Sequence, residues 1–536
     1  MVTAAKVERV KRDLIRQLES DKGLAVVGRV RDWLYDPESR YPISCTVLSV
    51  KDSMEGVDGI EESWLYASRG LRGAAGVALN LSNLRAKNTD NGRGLVASGP
   101  VSFMSIYSEL NATLRRGGKF KNGAIVTYLN VGHPDALEYI TSPVESTPWL
   151  KKALYVSDNP TDPDYLFSAE NASKVPAILS ALNSGFIWLA KKRWENDQTG
   201  TQNYPPYPED PEKGRLYSQV CLEILLPSRG TCTLSHVNLG ALTLKEIPYA
   251  FERGMRFLCD LHEITGADRA DNYYLSPKID KQVGLGVLGL ANLLAREGVT
   301  YKQFTDCLYD AVTNNVNPKT GKLDGHSLKA VQIVRAIQKG FRKANKVASY
   351  KKYNMRRAFT IAPTASCSYR HMDSEGYTTT PEISPPICHP ETKISSRDSG
   401  TFGVVDYQYP PTVETAESVG WDTYYKLVNT WQLLMESTGK AHSISFNLWD
   451  QASLDKDWLQ DWLLNSPSVT TYYRMQTLQL YTDKSNINAT SSGDVVEDDF
   501  FEAPKELEDE LDFDFSGTSV LWANNSDNVI ECDCAE

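Results

Sequence analysis

Several things are scarce in this sequence, and each scarcity excludes something. No run of about 18 apolar residues occurs, so nothing has the length of a membrane-spanning helix. The first residues, "MVTAAKVERVKRDLIRQLESDKG", carry charges where a secretory leader has its apolar core, so a cytoplasmic protein is expected. Positive charge is not in excess. The net charge is −11, and residues 491–536 hold fifteen acidic residues and one lysine, or −14, which leaves +3 for the other 490. Neither part reads as a nucleic-acid-binding surface. Cysteine is sparse and odd in number: nine, at 45, 221, 232, 259, 307, 367, 388, 532 and 534. Scattered thiols with no export signal argue against a disulfide framework. Cys532-x-Cys534 is a close pair, but no second pair at finger-like spacing follows it, so no structural zinc is expected.

What is present suits a large globular chain. Its 536 residues, 41% hydrophobic and 10% aromatic, can bury a sizeable core in two or three domains or one large barrel. Val7, Val10, Leu14, Ile15 and Leu18 share one face of a helix over 3–20. "YPISCTVLSV", which carries Cys45, reads as a strand. "GIEESWLYASRGLRG" reads as a helix and "AAGVALNLSNLR" as the strand after it. "NGAIVTYLNVG" and "CLEILLP" read as further buried strands, with helices over 101–116, 174–192 and 244–264. This alternation predicts an α/β architecture. Long Gly/Asn/Pro-rich loops are expected at 85–100, 195–214 and 362–376, where such loops are often functional. From about 484 the chain turns polar and acidic, so 476–536 reads as a disordered tail.

The stretch "YSQVCLEILLPSRGTC" poses the chemical question. If "VCLEI" is extended, Cys221 and Glu223 face the same way, about 7 Å apart, so a thiol and a base share one pocket wall. Buried packing is the alternative for such a cysteine. "PTASCS" (363–368) is a small-residue turn between a strand and a helix, a place suited to a phosphate or to a plain helix cap.

The run "SQVCLEILLP…CTLSHVNLGAL" closely resembles the large, catalytic subunit of class I ribonucleotide reductase. The resemblance continues through "SCTVLSVKDSMEGVDGI", "ASGPVSFMSIYSELNATLRRGGKFKNGAIVTYLNVGHPDALEYI", "APTASCS", "HSISFNLWD" and "TYYRM", in the family's order over roughly residues 40–475. It implies a ten-stranded α/β barrel of two half-barrels over 41–475, with Cys221 on a central finger loop. A short helical segment (1–40) would precede it and the flexible tail (476–536) would follow. Cys221 would form the thiyl radical that takes the ribose 3′ hydrogen, and Glu223 would take the 3′-hydroxyl proton. Cys45 would protonate the leaving 2′-hydroxyl and, with Cys232, supply two electrons by forming a disulfide. Cys532 and Cys534 on the tail would renew that pair by thiol–disulfide exchange, with thioredoxin or glutaredoxin as the outer reductant.

The resemblance also assigns binding residues and partners. Ser44, Gly76, Pro363, Thr364, Ala365, Ser366 and Cys367 would hold the ribonucleotide. Asp52, Ser53, Met54, Arg85 and Arg93 would bind a deoxynucleoside triphosphate or ATP as specificity effector, with Mg2+, at the interface of a homodimer. Tyr472 and Tyr473 match the family's radical-transfer pair. They imply a ferritin-like small subunit that holds the metal and generates the radical, with no cofactor bound covalently to this chain. An adenosylcobalamin-dependent reductase is the alternative. Three features depart from the family. One residue separates Cys532 from Cys534, where two or more are usual. Gln219 stands where asparagine is usual, one methylene longer. Only 44 residues precede Cys45, which predicts no ATP cone and suggests a compact, phage-like form.

Overall fold

The computed structural model describes residues 4–475 except 37–41, 91–93, 95, 115–123, 197–199, 266–272, 315–322, 352–356, 388–390, 397–401, 450–452 and 473. Two five-stranded sheets organise it. The first has the order β2 (Cys45–Ser49), β3 (Gly76–Asn80), β4 (Ile125–Asn130), β5 (Lys151–Val156) and β6 (Ile187–Lys191). All its pairings are parallel, each strand neighbouring the next in sequence.

Parallel strands covered on both faces need apolar residues on both, and these have them. Cys45, Val47, Ala78, Val126, Tyr128, Ala153, Tyr155, Trp188 and Ala190 belong to one core cluster. Leu48, Val77, Leu79, Ile125, Leu129, Leu154, Ile187 and Leu189 belong to another, shared with the surrounding helices. This is the period-two alternation of a strand, expressed as two cores. The helix Ile60–Arg72 between β2 and β3 carries Glu61 and Glu62 in its first turn and Arg69 and Arg72 in its last. Those charges complement its dipole.

The second sheet has the order β1 (Leu24–Val26), β11 (Leu234–Asn238), β12 (Gly284–Leu288), β13 (Phe359–Ile361) and β16 (Ala441–Ile444). β1 runs antiparallel to β11, and the other pairings are parallel. A four-stranded antiparallel sheet, β10 (Leu225–Leu226), β9 (Arg215–Ser218), β7 (Arg193–Asn196) and β8 (Gly200–Gln202), lies between them in sequence. Two small pairs complete the strands: β14 (Glu391–Ser396) with β15 (Phe402–Tyr407), and β17 (Leu448–Trp449) with β18 (Arg474–Met475). Isolated antiparallel bridges, Thr46 to Thr231 and Ala190 to Thr470, tie the outer strands of the first sheet to segments that follow it in the chain.

The α/β class is as the sequence predicts, and the helix 3–20 is found at Ala4–Ser20. Three expectations change. The helix expected over 174–192 ends at Asn183, and 187–191 is strand β6. Gly185 takes φ +70, and Gly185 and Phe186 donate to the carbonyls of Leu182 and Ala181, a C-terminal cap that stops the helix. The loop expected over 195–214 begins as the β7–β8 hairpin. The loop over 362–376 contains the helix Ala365–Tyr369. The tail and its cysteines, Cys532 and Cys534, lie outside the described residues. Among the described residues no helix is long and apolar enough to cross a membrane.

Candidate active site

Cys221 and Glu223 sit at the tip of the β9–β10 hairpin, and here the extended reading of "VCLEI" is overturned. Residues 219–224 make a tight turn with Leu222 at φ +66. Gln219 N–H donates to the Ile224 carbonyl (3.1 Å), and Leu222 N–H donates to the Gln219 carbonyl (3.1 Å). A left-handed leucine costs roughly 1–2 kcal/mol, and such strain persists only where the surroundings over-determine it.

They do so from both sheets. Tyr128 on β4 donates its hydroxyl to the Gln219 carbonyl at 2.7 Å. Thr360 on β13 donates to the Glu223 carbonyl at 3.0 Å. Ser443 N–H on β16 donates to the same carbonyl at 2.9 Å. The Ser445 hydroxyl donates to the Cys221 carbonyl at 2.8 Å and lies 3.4 Å from Glu223 Oε2. Gln219 braces the turn itself, its Oε1 accepting from the N–H groups of Cys221 and Leu222. Its buried Nε2 has no partner and can donate to a bound molecule.

Cys45 and Cys232 lie opposite one another. Thr46 is bridged antiparallel to Thr231, so the next pair outward is Cys45 and Cys232. Cys232 N–H donates to the Cys45 carbonyl at 2.9 Å, and Ser44 N–H donates to the Cys232 carbonyl at 3.2 Å. Directly opposed antiparallel residues have Cα atoms about 4.5–5.5 Å apart, inside the range a disulfide uses. The two residues are 187 positions apart in sequence, and both are fully buried. They share one core cluster with Cys221 and Tyr472. Cys259 and Cys307 are packing. Burial pushes the Cys259 thiol up to about 12 and the Cys307 thiol up to about 11.

Tyr472 brings its hydroxyl within 3.9 Å of the Cys221 sulfur. β6 holds it there. Thr471 N–H donates to the Leu189 carbonyl (2.8 Å), Leu189 N–H donates to Thr471 Oγ1 (2.9 Å), and Tyr472 N–H donates to the Phe446 carbonyl (2.8 Å). The Trp188 ring lies 5.1 Å from the Tyr472 ring. Lys191, buried and lowered to about 7 by desolvation, donates to the carbonyls of Trp462 (2.6 Å) and Ser466 (2.7 Å). It thereby fixes the approach of the segment that carries Tyr472. Tyr473 lies outside the described residues.

The candidate phosphate segment follows β13 as expected. Thr364 is left-handed (φ +53), and its hydroxyl accepts from Glu382 N–H at 2.8 Å. The Cys367 thiol, raised by burial to about 12, donates to the Val26 carbonyl at 3.3 Å, so that side chain anchors the segment to β1. Pro363, Ala365 and Ser366 lie on the same turn. Gly76 is the register partner of Cys45, and its N–H donates to the Ser44 carbonyl at 2.8 Å. The Ser44 hydroxyl is buried with no partner. Ser44 and Gly76 therefore belong to the cysteine end of the site.

Of the effector candidates, Asp52, on the loop after β2, and Arg85, on the loop after β3, form an ion pair at 2.7 Å. Ser53 and Met54 adjoin it, and Arg93 lies outside the described residues. Sequence reasoning missed the residues that grip the tip, namely Tyr128, Thr360, Ser443 and Ser445. It missed Glu382 too, a buried carboxyl that desolvation raises to about 8 while Ser384 and Asn447 donate to it. None carries a local signal, because each acts through a contact across the fold.

Comparison with known proteins gives a partial match to one family model. Residues 43–153, from Cys45 into β5, match the family model described as the barrel domain of ribonucleotide reductase. Among curated proteins, the vitamin B12-dependent ribonucleoside-diphosphate reductase of Mycobacterium tuberculosis is 25% identical over 293 residues, 48% of this chain and 39% of that protein. The protein of the same name from Thermoplasma acidophilum is 26% identical over 288 residues, 49% of this chain and 36% of that protein. The matched stretch thus spans less than two fifths of either relative's length. Among solved structures, the class Id ribonucleotide reductase alpha subunit of Actinobacillus ureae superposes with a TM-score of 0.59 at 14% identity, over 89% of this chain and 94% of that one. That likeness is one of fold.

Proposed function

We propose that this chain is the catalytic subunit of a ribonucleoside-diphosphate reductase that makes 2′-deoxyribonucleotides by radical chemistry. The observation that carries the reading is the convergence of Cys45 with Cys221 and Cys232, which lie 176 and 187 positions further along the chain, in one buried cluster with Tyr472. An unactivated sugar C–OH bond resists ionic displacement, but a radical on the neighbouring carbon makes water a feasible leaving group. In this reading the Cys221 sulfur radical takes the 3′ hydrogen atom, and Glu223 takes the 3′-hydroxyl proton. Cys45 gives its proton to the departing 2′-hydroxyl, which leaves as water. The Cys45 and Cys232 thiols supply two electrons and one further proton and become a disulfide. Cys221 then returns the hydrogen atom to C3′, and Glu223 returns the proton to the 3′ oxygen. Burial serves this chemistry, since a sulfur radical in contact with water or oxygen is soon lost.

The rest of the arrangement supports the same reading. We take the two sheets as halves of one ten-stranded barrel, with the hairpin tip inside it. The turn Pro363–Cys367 would hold the phosphates through backbone N–H groups. Asp52, Ser53, Met54, Arg85 and Arg93 would form the effector site of a nucleotide-dependent homodimer. Cys532 and Cys534, with thioredoxin or glutaredoxin behind them, would renew the dithiol. A ferritin-like, metal-holding subunit would deliver the radical through Tyr473 and Tyr472.

The names of the curated relatives favour a second reading, an adenosylcobalamin-dependent enzyme. The Tyr472 hydroxyl already occupies one side of a fully buried Cys221. That position suits a phenol relay and not the face of a corrin. The deciding experiment assays reduction of all four ribonucleotides, as di- and triphosphates, with a ferritin-like partner subunit or with adenosylcobalamin alone. Turnover only with the protein partner is the expected result, and Cys221→Ser should abolish it while nucleotide binding persists. Activity that survives Cys221→Ser would refute the proposal. Turnover with adenosylcobalamin alone would establish the second reading.

A further inference from the structure

One buried histidine has no part in the chemistry above. His236 lies on β11, level with Gly286 of β12 and Ala25 of β1, the two smallest residue types. A side chain at 286 would put its Cβ 2.9 Å from His236 Nδ1 and 2.8 Å from the Thr360 carbonyl oxygen. The glycine therefore makes room for the imidazole beside the strand that grips the hairpin tip. His236 is fully buried, and neither ring nitrogen has a hydrogen-bond partner. Leaving a buried polar group unpaired costs about 1–3 kcal/mol, so packing alone does not account for this residue.

Its neighbours share the property. Asn238 lies two residues on, on the same face of β11. Its Nδ2 donates to the Met372 carbonyl at 3.1 Å, and its Oδ1 is unpartnered. The buried Thr379 hydroxyl is also unpartnered. A Cβ on Gly289 would meet Thr379 Cγ2 at 2.7 Å and Asn238 Oδ1 at 3.1 Å, so Asn238 and Thr379 are neighbours. The segment His371–Thr379 covers them, with Thr379 N–H donating to the His371 carbonyl at 3.0 Å. His371 in turn is tied through Nδ1 to the Cys367 carbonyl at 2.7 Å, and Cys367 packs on Ala25 and Leu288. These buried polar groups thus adjoin the turn Pro363–Cys367.

We infer that His236, with the Thr379 hydroxyl, takes the terminal phosphate of the nucleotide whose inner phosphate rests on the Pro363–Cys367 turn. The inference rests on the proposed function and adds to it a residue that sets phosphate-chain length. A neutral imidazole suits the task. Burial and the neighbouring His371 push His236 down to about 3, so at neutral pH one ring nitrogen donates and the other accepts. The Thr379 hydroxyl adds a second donor. Such a slot rewards a nucleotide that reaches it and gives nothing to one that is a phosphate short, because its donors then stay unpaired.

The test uses the full chain with ring-15N-labelled histidine, of which there are seven. The His236 resonances are assigned by their loss in His236→Gln. CDP and CMP are titrated into the native chain by NMR, and into both chains by calorimetry. CDP should move the His236 ring resonances and CMP should not. His236→Gln should weaken CDP about tenfold, the effect of one hydrogen bond to a charged group, with little change for CMP. CDP binding that leaves the native His236 ring unmoved would overturn the inference and leave the proposed function standing; this arm needs no stable variant. An unchanged CDP-to-CMP ratio in a folded His236→Gln would overturn it equally. Failure of the folded native chain to bind either nucleotide would overturn both.

Discussion

The two five-stranded sheets are built by opposite routes. The first takes five strands from one continuous run, residues 45–191, each paired with the next in sequence. The second gathers strands beginning at 24, 234, 284, 359 and 441, with helices and loops between them. The first is a local object, and it contains nearly all of the stretch that matches the family model. The second exists only when the whole chain has closed. The candidate site belongs to neither sheet alone. Cys45 belongs to the first, Cys232 precedes β11 of the second, and the hairpin that carries Cys221 is held by Tyr128 from one and by Thr360 and Ser443 from the other.

This contrast can be tested at several strengths. The largest effect is expected where the sheets meet. Cys45→Ser and Cys232→Ser should each end multiple turnover, and thiol titration after incubation with substrate should find no disulfide in either. If one variant still cycles, the two sheets do not contribute equally. Tyr472→Phe should come next. It removes the hydroxyl beside Cys221 while keeping the ring against Trp188, and turnover should fall on the order of 100-fold or more with Tm unchanged. A mild loss would mean that β6 holds Tyr472 for packing only.

Two glycines compare the sheets directly. A Cβ on Gly284, in the second, would crowd Thr360 Cγ2 (2.8 Å) and Ile224 Cδ1 (2.9 Å), close to the hairpin tip. Gly284→Ala should cost about 1–3 kcal/mol of stability and also lower activity. A Cβ on Gly70, on the outer side of the first sheet, would meet Val77 Cγ2 at 2.5 Å. Gly70→Ala should destabilise to a similar degree and leave the kcat of the folded fraction intact. Denaturant titration beside an activity assay separates the two.

The smallest effect concerns Glu382, which lies beside Thr364. Burial raises this carboxyl to about 8. A group whose pKa rises on folding stabilises fully below its unfolded value and loses that contribution as pH climbs through the folded one. The native chain should therefore lose stability between pH 5 and 8, and Glu382→Gln should lose about 1–2 °C less in Tm over that range. Equal slopes for the two proteins would show that the carboxyl ionises freely.

The same contrast explains what the sequence revealed. Strands β2–β4 and the helices Ala4–Ser20 and Ile60–Arg72 were legible because hydrophobic period and end signals act over a few residues. The hairpin tip was not. In "VCLEILLP" a buried turn and a buried strand have the same apolar composition, and a leucine at positive φ leaves no mark in sequence, as a glycine would have. The helix over 174–192 was read too long because "FIWLAKK" suits either element until Gly185 is seen to cap. Within the site, the cysteines and Tyr472 stood out only through their resemblance to a family. Ser445, Thr360 and Tyr128 did not stand out at all, because their role is to touch residues roughly a hundred to two hundred positions away.

The backbone pairing of residues 45 and 232 has a consequence for how such a protein would be serviced. Their main chains are already paired, so forming or breaking an S–S bond between them would ask for little movement of the backbone. The spent chain and the ready chain would then have the same outline. A reductant could not distinguish them by shape from outside, and would have to probe each molecule with a sulfur of its own.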